Sequence, residues 1–148
     1  FLTIVKFKYK LKYMLKKVNK MHNQMPQEIE VWYIIPALRR ELAKSMIEGF
    51  RLTQKQVAEH MGITEAAISQ YLSNKRAKDV IFSNAVLDEI KKSAKMIIAD
   101  NEQSVPEMIR LTRITGVKHL MCDLHKKHDV KLPEGCDICF EEDLIKIK

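Results

Sequence analysis

Residues 52–78 read LTQKQVAEHMGITEAAISQYLSNKRAK, and the fold turns on the single glycine between two short runs. Gln56 follows Thr53 at the spacing of a capping box, in which each side chain satisfies the other's free backbone N–H. Val57 and Met61 recur at i and i+4 and share an inward face, and Ala58 is small enough for two helices to cross closely. Gly62 ends the first run, because a positive φ costs glycine almost nothing. Ile63 fills the corner, Thr64 caps the second run, and Ile68 and Leu72 form its buried side. Neither run is long enough to be stable alone, so both need a core that holds them at a fixed angle. Glu65, Ala66, Ser69 and Gln70 are left outside, beginning in the first turn. A helix presented in this way fits the major groove of B-DNA. The alternative is two core-packing helices in an all-α domain.

Outward from this stretch the periodicity stays helical. Val31, Ile34, Ile35, Leu38, Leu42 and Met46 predict a helix over residues 31–48, with Arg39, Arg40 and Lys44 on other faces. Pro36 must lie near its start or kink it, and Gly49 supplies a stop. Ser83 caps a predicted helix reaching Ala99, with Val86, Leu87, Ile90, Ala94 and Ile97 on one face. After a loop over residues 100–104, Ser104 caps a helix with Pro106 in its first turn, ending near Gly116. A further helix is expected from Val117 to Lys127, then an irregular segment with a turn at Pro133–Gly135.

Gln54, Val57, Ala58, Gly62, Ile63, Thr64, Ile68, Ser69 and Leu72 together resemble the helix-turn-helix of the phage-repressor-like regulators, the Cro/CI-like or XRE family. The resemblance implies a DNA-binding set. Gln54 would touch the DNA backbone, Thr64 would open the recognition helix, and Glu65, Ala66, Ser69 and Gln70 would face bases. Asn74, Lys75 and Arg76 would meet phosphates just beyond. Glu65 brings negative charge towards the groove, yet it can accept from a cytosine amino group. From about Met25 to Phe140 the chain also looks like a group of archaeal regulators that follow this motif with a Cys/His segment. The family implies a homodimer on double-stranded DNA. Other uses of the motif are an antitoxin that depends on a protein partner and a bridging coactivator, although the latter carries its zinc segment before the motif.

Charge alone does not carry a nucleic-acid reading. The net charge is +7, but seven of the 26 Lys and Arg lie in residues 1–20, which hold no acid, and the remaining 19 balance 19 Asp and Glu. Residues 1–24 read as a basic N-terminal extension, expected to be disordered, and the first twenty of them are expected to lie upstream of a natural start at Met21 or Met25. A phosphate-binding arm and an edge strand over Val5–Leu11 are the alternatives. No run of about 18 apolar residues exists, so no membrane span is expected. Three cysteines without a secretory signal suit a reducing, cytoplasmic setting.

All three cysteines fall in the pattern Cys122-x2-His125-x10-Cys136-x2-Cys139. Cys122 and His125 share one face of a helix, and a C-x-x-C turn lets two thiolates reach one ion. Three Cys and one His can complete a tetrahedral zinc site or hold an iron–sulfur cluster, which would allow a redox-responsive regulator. A buried, metal-free Cys122 is the plain alternative, and His119 and His128 extend the same row. A Cys–His pair can also form a nucleophile, but no orienting third group or oxyanion loop accompanies it, and an enzyme is not expected.

The fold expected is all-α. A phage-repressor-like helix-turn-helix bundle would occupy residues 29–100, and a C-terminal helical segment with the Cys/His metal knuckle residues 101–148.

Overall fold

Pro36 decides how the first helix is built. Proline has no N–H to give, and its ring meets the carbonyl four residues back, so an unbroken α-helix through it costs about 3 kcal/mol. In the computed structural model, which describes residues 24–73, 76–129, 131–133 and 135–136, the chain absorbs this by widening one turn. Helix α1, Pro26–Ile29, passes into a π segment, Glu30–Ile34, and then into α2, Ile35–Lys44. The Ile35 N–H reaches back five residues to the Glu30 carbonyl. The helix therefore starts earlier than its apolar spacing predicted and passes through Pro36.

The widened turn resets the register. Ile29 and Ile34 are both buried, five residues apart, and Leu38, Leu42 and Met46 then follow at intervals of four. Val31, expected inside, is 59% exposed, and its place is taken by Ile29. A second π segment, Ser45–Gly49, closes the run. Gly49 ends it as expected, but the left-handed residue is Arg51, with φ 57°, and the Leu52 N–H returns to the Met46 carbonyl at 3.2 Å.

Every regular element among the described residues is helical, so the fold is all-α. Helix α3 spans Gln54–Met61 and α4 spans Glu65–Ser73. A 3-10 turn, Arg76–Asp79, leads to α5, Asn84–Ala99, whose first turn is capped by Ser83 as the sequence predicts. The loop after α5 contains a 3-10 turn, Asn101–Gln103, capped by Asp100. Ser104 is not the cap of the next helix but the first residue of α6, Ser104–Thr112, and its hydroxyl donates to the Met61 carbonyl at 3.2 Å. Helix α6 ends at Thr112, short of Gly116, which lies instead in the first turn of α7, Thr115–His128. A Cβ at Gly116 would lie 2.9 Å from Val86 Cγ2, so the glycine serves the close approach of α7 to α5.

One core unites these elements. Leu38, Leu42 and Met46 of the first run meet Val57, Ile68, Ile90 and Ile97, and Leu111, Val117 and Leu124 of the last two helices join the same cluster. At roughly 1.5–3 kcal/mol for each large apolar side chain removed from water, this burial is what holds the short helices α3 and α4. No described helix is long and apolar enough to cross a membrane.

Candidate nucleic-acid interface

The turn between α3 and α4 is fixed by local chemistry. Thr53 donates its N–H to Gln56 Oε1 at 2.9 Å, and the Gln56 N–H donates to Thr53 Oγ1 at 3.3 Å. Gly62 takes φ 66° and ψ 31°, and the Ile63 N–H bonds the Ala58 carbonyl at 3.1 Å. Nothing lies within 4 Å of the place a Gly62 Cβ would occupy, so glycine is needed there for its conformation and not for space. The Ala67 N–H donates to Thr64 Oγ1 at 3.1 Å and opens α4. Val57, Ala58 and Ile68 are buried on the inner side, while Ile63 and Leu72 are half-buried at its margin.

Gln54, Thr64, Glu65, Ala66, Ser69 and Gln70 are all exposed. They lie at the start of α3 and along the outer side of α4, with Lys55 and Lys78 exposed on the flanking elements. Asn74 and Lys75 lie outside the described residues, as does the side chain of Arg76.

Two consecutive arginines of α2 grip this unit from behind, and the sequence reading missed both. Arg39 Nη1 donates to Tyr71 Oη at 2.5 Å, with the guanidinium carbon 5.4 Å from the ring centroid. Arg40 is 8% exposed. It donates from Nη1 to the Ala77 carbonyl, from Nη2 to the Val80 carbonyl at 3.0 Å, and from Nε to Glu41 Oε1 at 2.8 Å. The guanidinium thus satisfies the carbonyls at the end of the 3-10 turn, where a cation is also favoured by the peptide dipoles. A signal for Arg40 was present. Ala37 and Ala43, three residues to either side, are small and buried, which leaves room for a guanidinium against the core.

Helices α5 and α6 are joined by a polar cluster. Ser93 Oγ donates to Glu107 Oε2 at 2.5 Å, and Arg110 reaches Glu107, Ser93 and Glu89 at 2.9, 2.8 and 2.7 Å. Hydrogen bonds from Lys92 and then Arg110 hold the Glu89 carboxyl below its ordinary range. Burial of Arg110 works against its charge, but its bonds to Glu89 and Glu107 outweigh that and raise its pKa.

The cysteine–histidine set is only partly in view. Cys122 and His125 are both buried on α7, one turn apart, and Cys136 is half-buried after the turn that its N–H closes on the Pro133 carbonyl at 3.2 Å. Cys139 lies outside the described residues. His125 Nε2 lies 2.6 Å from the Gln24 carbonyl, so that nitrogen must carry the proton. A ring nitrogen anchored on a backbone carbonyl is how metal-binding histidines are commonly oriented, and Nδ1 would be the ligating atom. Among the described residues no three His, Cys, Asp or Glu side chains come together at a spacing that holds a metal ion. His119 is exposed, and His128 stacks on Tyr33 with ring centroids 4.6 Å apart. No family model, no curated protein and no solved structure matches the chain.

Proposed function

We propose that the chain is a sequence-specific DNA-binding regulator that lays α4 in the major groove of double-stranded DNA. One observation carries the reading: Gly62 turns the chain in a left-handed conformation so that Val57 and Ile68 are buried together while Glu65, Ala66, Ser69 and Gln70 remain exposed. The groove is about 12 Å wide and takes one helix whose first turns carry the reading residues. Gln70 has the amide that pairs with adenine, and Glu65 can accept from cytosine. Gln54 sits in the first turn of α3, where it would meet the backbone, and Asn74, Lys75 and Arg76 would add phosphate contacts. The chain then acts in the cytoplasm as a homodimer, in keeping with the phage-repressor-like resemblance.

Selection from a random pool of duplexes tests this. The expected result is one enriched motif with two-fold symmetry, its half-sites about 34 Å apart. Absence of any enriched sequence would reject the reading.

Cys122, His125, Cys136 and Cys139 form the set we assign to a structural zinc ion or an iron–sulfur cluster. The supporting observation is His125, buried and anchored through Nε2. The bound group would tie α7 to the segment after it and add folding energy there. Anaerobic purification with metal and sulfide analysis separates zinc, cluster and neither.

A further inference from the structure

The arginines at positions 39 and 40 are adjacent in sequence, yet they hold two different parts of the chain. Arg39 binds the side chain of Tyr71, 32 residues away, in the last turns of α4. Arg40 binds the carbonyls of Ala77 and Val80, 37 and 40 residues away, in the turn that follows α4. Both arginines sit on α2, whose Ala37, Leu38, Leu42 and Ala43 are fixed in the core. The contacts differ in kind. Tyr71 offers an oxygen and a ring face to one cation, so Arg39 fixes both the position and the rotation of that side chain. Arg40 uses a planar fork on two carbonyls at once, of which that of Ala77 also accepts from the Val80 N–H at 3.2 Å, a geometry that the single ammonium of lysine cannot reproduce.

We infer that Arg39 and Arg40 are positioning residues that set the pose of α4 on DNA without touching it. This rests on the reading of α4 as the recognition helix. The physical need is clear from the packing. Ile68 is the only fully buried side chain of α4, and Leu72 is half-buried. Two apolar contacts near one line leave a short helix free to roll about that line. Tyr71 lies off this line, and its bond to Arg39 opposes the roll. The carbonyls held by Arg40 fix the chain where it leaves the helix. A roll of α4 would move Ser69 and Gln70 across the base edges, so the clamp acts on sequence preference more than on attraction to phosphate.

The test uses the full chain, a duplex that the parent protein enriches from a random pool, and a scrambled duplex of equal length. Tyr71→Phe removes the oxygen that Arg39 binds and keeps the ring. It should weaken binding to the enriched duplex roughly 3- to 10-fold, the effect of one lost hydrogen bond. Binding to the scrambled duplex and the salt dependence should stay as in the parent. Arg39→Met should do the same, and the double variant should be no worse than either single one. Arg40→Lys should reduce preference between the duplexes while the protein remains folded by circular dichroism. Equal loss on both duplexes with a shallower salt dependence would overturn the inference, since the arginines would then be phosphate contacts. Unchanged preference in all three variants would also overturn it. A parent protein that enriches no duplex would remove the reading beneath the clamp, and the clamp with it.

Discussion

Ser93 and Glu107 meet inside the contact between α5 and α6, where the serine hydroxyl has no solvent exposure and donates to the carboxylate at 2.5 Å. Arg110 completes the set from α6 by bonding both. A buried carboxylate is costly to desolvate, so it is tolerated only with such partners. Glu107→Ala should cost about 1–3 kcal/mol, because it leaves a buried hydroxyl and part of a guanidinium without an acceptor. The Ser93→Ala, Glu107→Ala double-mutant cycle should give a coupling of about 0.5–3 kcal/mol in urea unfolding. Strict additivity would mean the hydroxyl and carboxylate do not support one another. The exposed pair Lys91–Asp88 at 3.5 Å is the control, and its loss should cost less than about 1 kcal/mol.

Glu89 gives the protein an acid-sensitive contact. Lys92 at 2.6 Å and Arg110 at 2.7 Å hold its carboxyl below the ordinary value of 4.5. A carboxyl with a depressed folded pKa contributes stability above its unfolded pKa and loses it as pH falls through the folded one. The contribution is therefore complete near neutral pH and disappears on the acid side of 4.5. Glu89→Gln should be less stable than the parent at neutral pH, and the two should converge as the pH falls below 4.5 and through the depressed folded value. Added salt should narrow the gap, since the carboxylate is partly exposed. A gap that stays constant across that range would assign the effect to packing.

The π turn before Pro36 makes a sharp distinction between two neighbouring apolar residues. Ile29 is fully buried and Val31 is 59% exposed. Ile29→Ala should cost about 2–5 kcal/mol, whereas Val31→Thr should stay within about 0.5 kcal/mol. The reverse order in thermal unfolding would restore the uninterrupted α-helical register.

Gly62 and Gly116 are both intolerant of alanine, for different reasons. At Gly62 the added Cβ has open space, but the left-handed φ of 66° costs an L-residue about 1–2 kcal/mol. Gly62→Asn should recover part of that, because asparagine tolerates the conformation. At Gly116 the new Cβ would meet Val86 Cγ2 at 2.9 Å, so Val86→Ala should rescue Gly116→Ala and do nothing for Gly62→Ala. Rescue at both sites, or at neither, would show that the two glycines have been assigned the wrong roles.

What could be read beforehand was local. Thr53, Gln56, Gly62 and Thr64 act within a few residues of one another, so their spacing announces the caps and the turn. Ser83 did the same for α5. The contacts of Arg39 and Arg40 were not legible, because their partners Tyr71, Ala77 and Val80 lie more than thirty residues away and two of those partners are backbone carbonyls; the small residues Ala37 and Ala43 signal room for Arg40 but not what it binds. Ser104 was misread for the same reason. Its hydroxyl serves Met61, 43 residues earlier, instead of its own helix. The offset of Ile29 escaped detection because the helical period was applied unbroken across Pro36, which forces the longer turn.

Gln70 offers the most direct test of base reading. It is exposed on α4, two residues beyond the buried Ile68, and so faces away from the core. Its amide can donate and accept in one plane, which matches N7 and N6 of adenine. A residue of this kind should contribute to discrimination and little to general attraction, because it carries no charge to exchange for counterions. Gln70→Ala is expected to lose about 1–3 kcal/mol on the enriched duplex and to relax preference at one base pair in each half-site. Binding to scrambled DNA and the salt slope should remain those of the parent. Lys75→Ala should behave in the opposite way, weakening all sequences alike and lowering the salt slope by about one. Repeating the duplex selection with each variant separates the two. If Gln70→Ala enriches the parental motif unchanged, the outer side of α4 does not read bases, and the helix would have to meet DNA through another face.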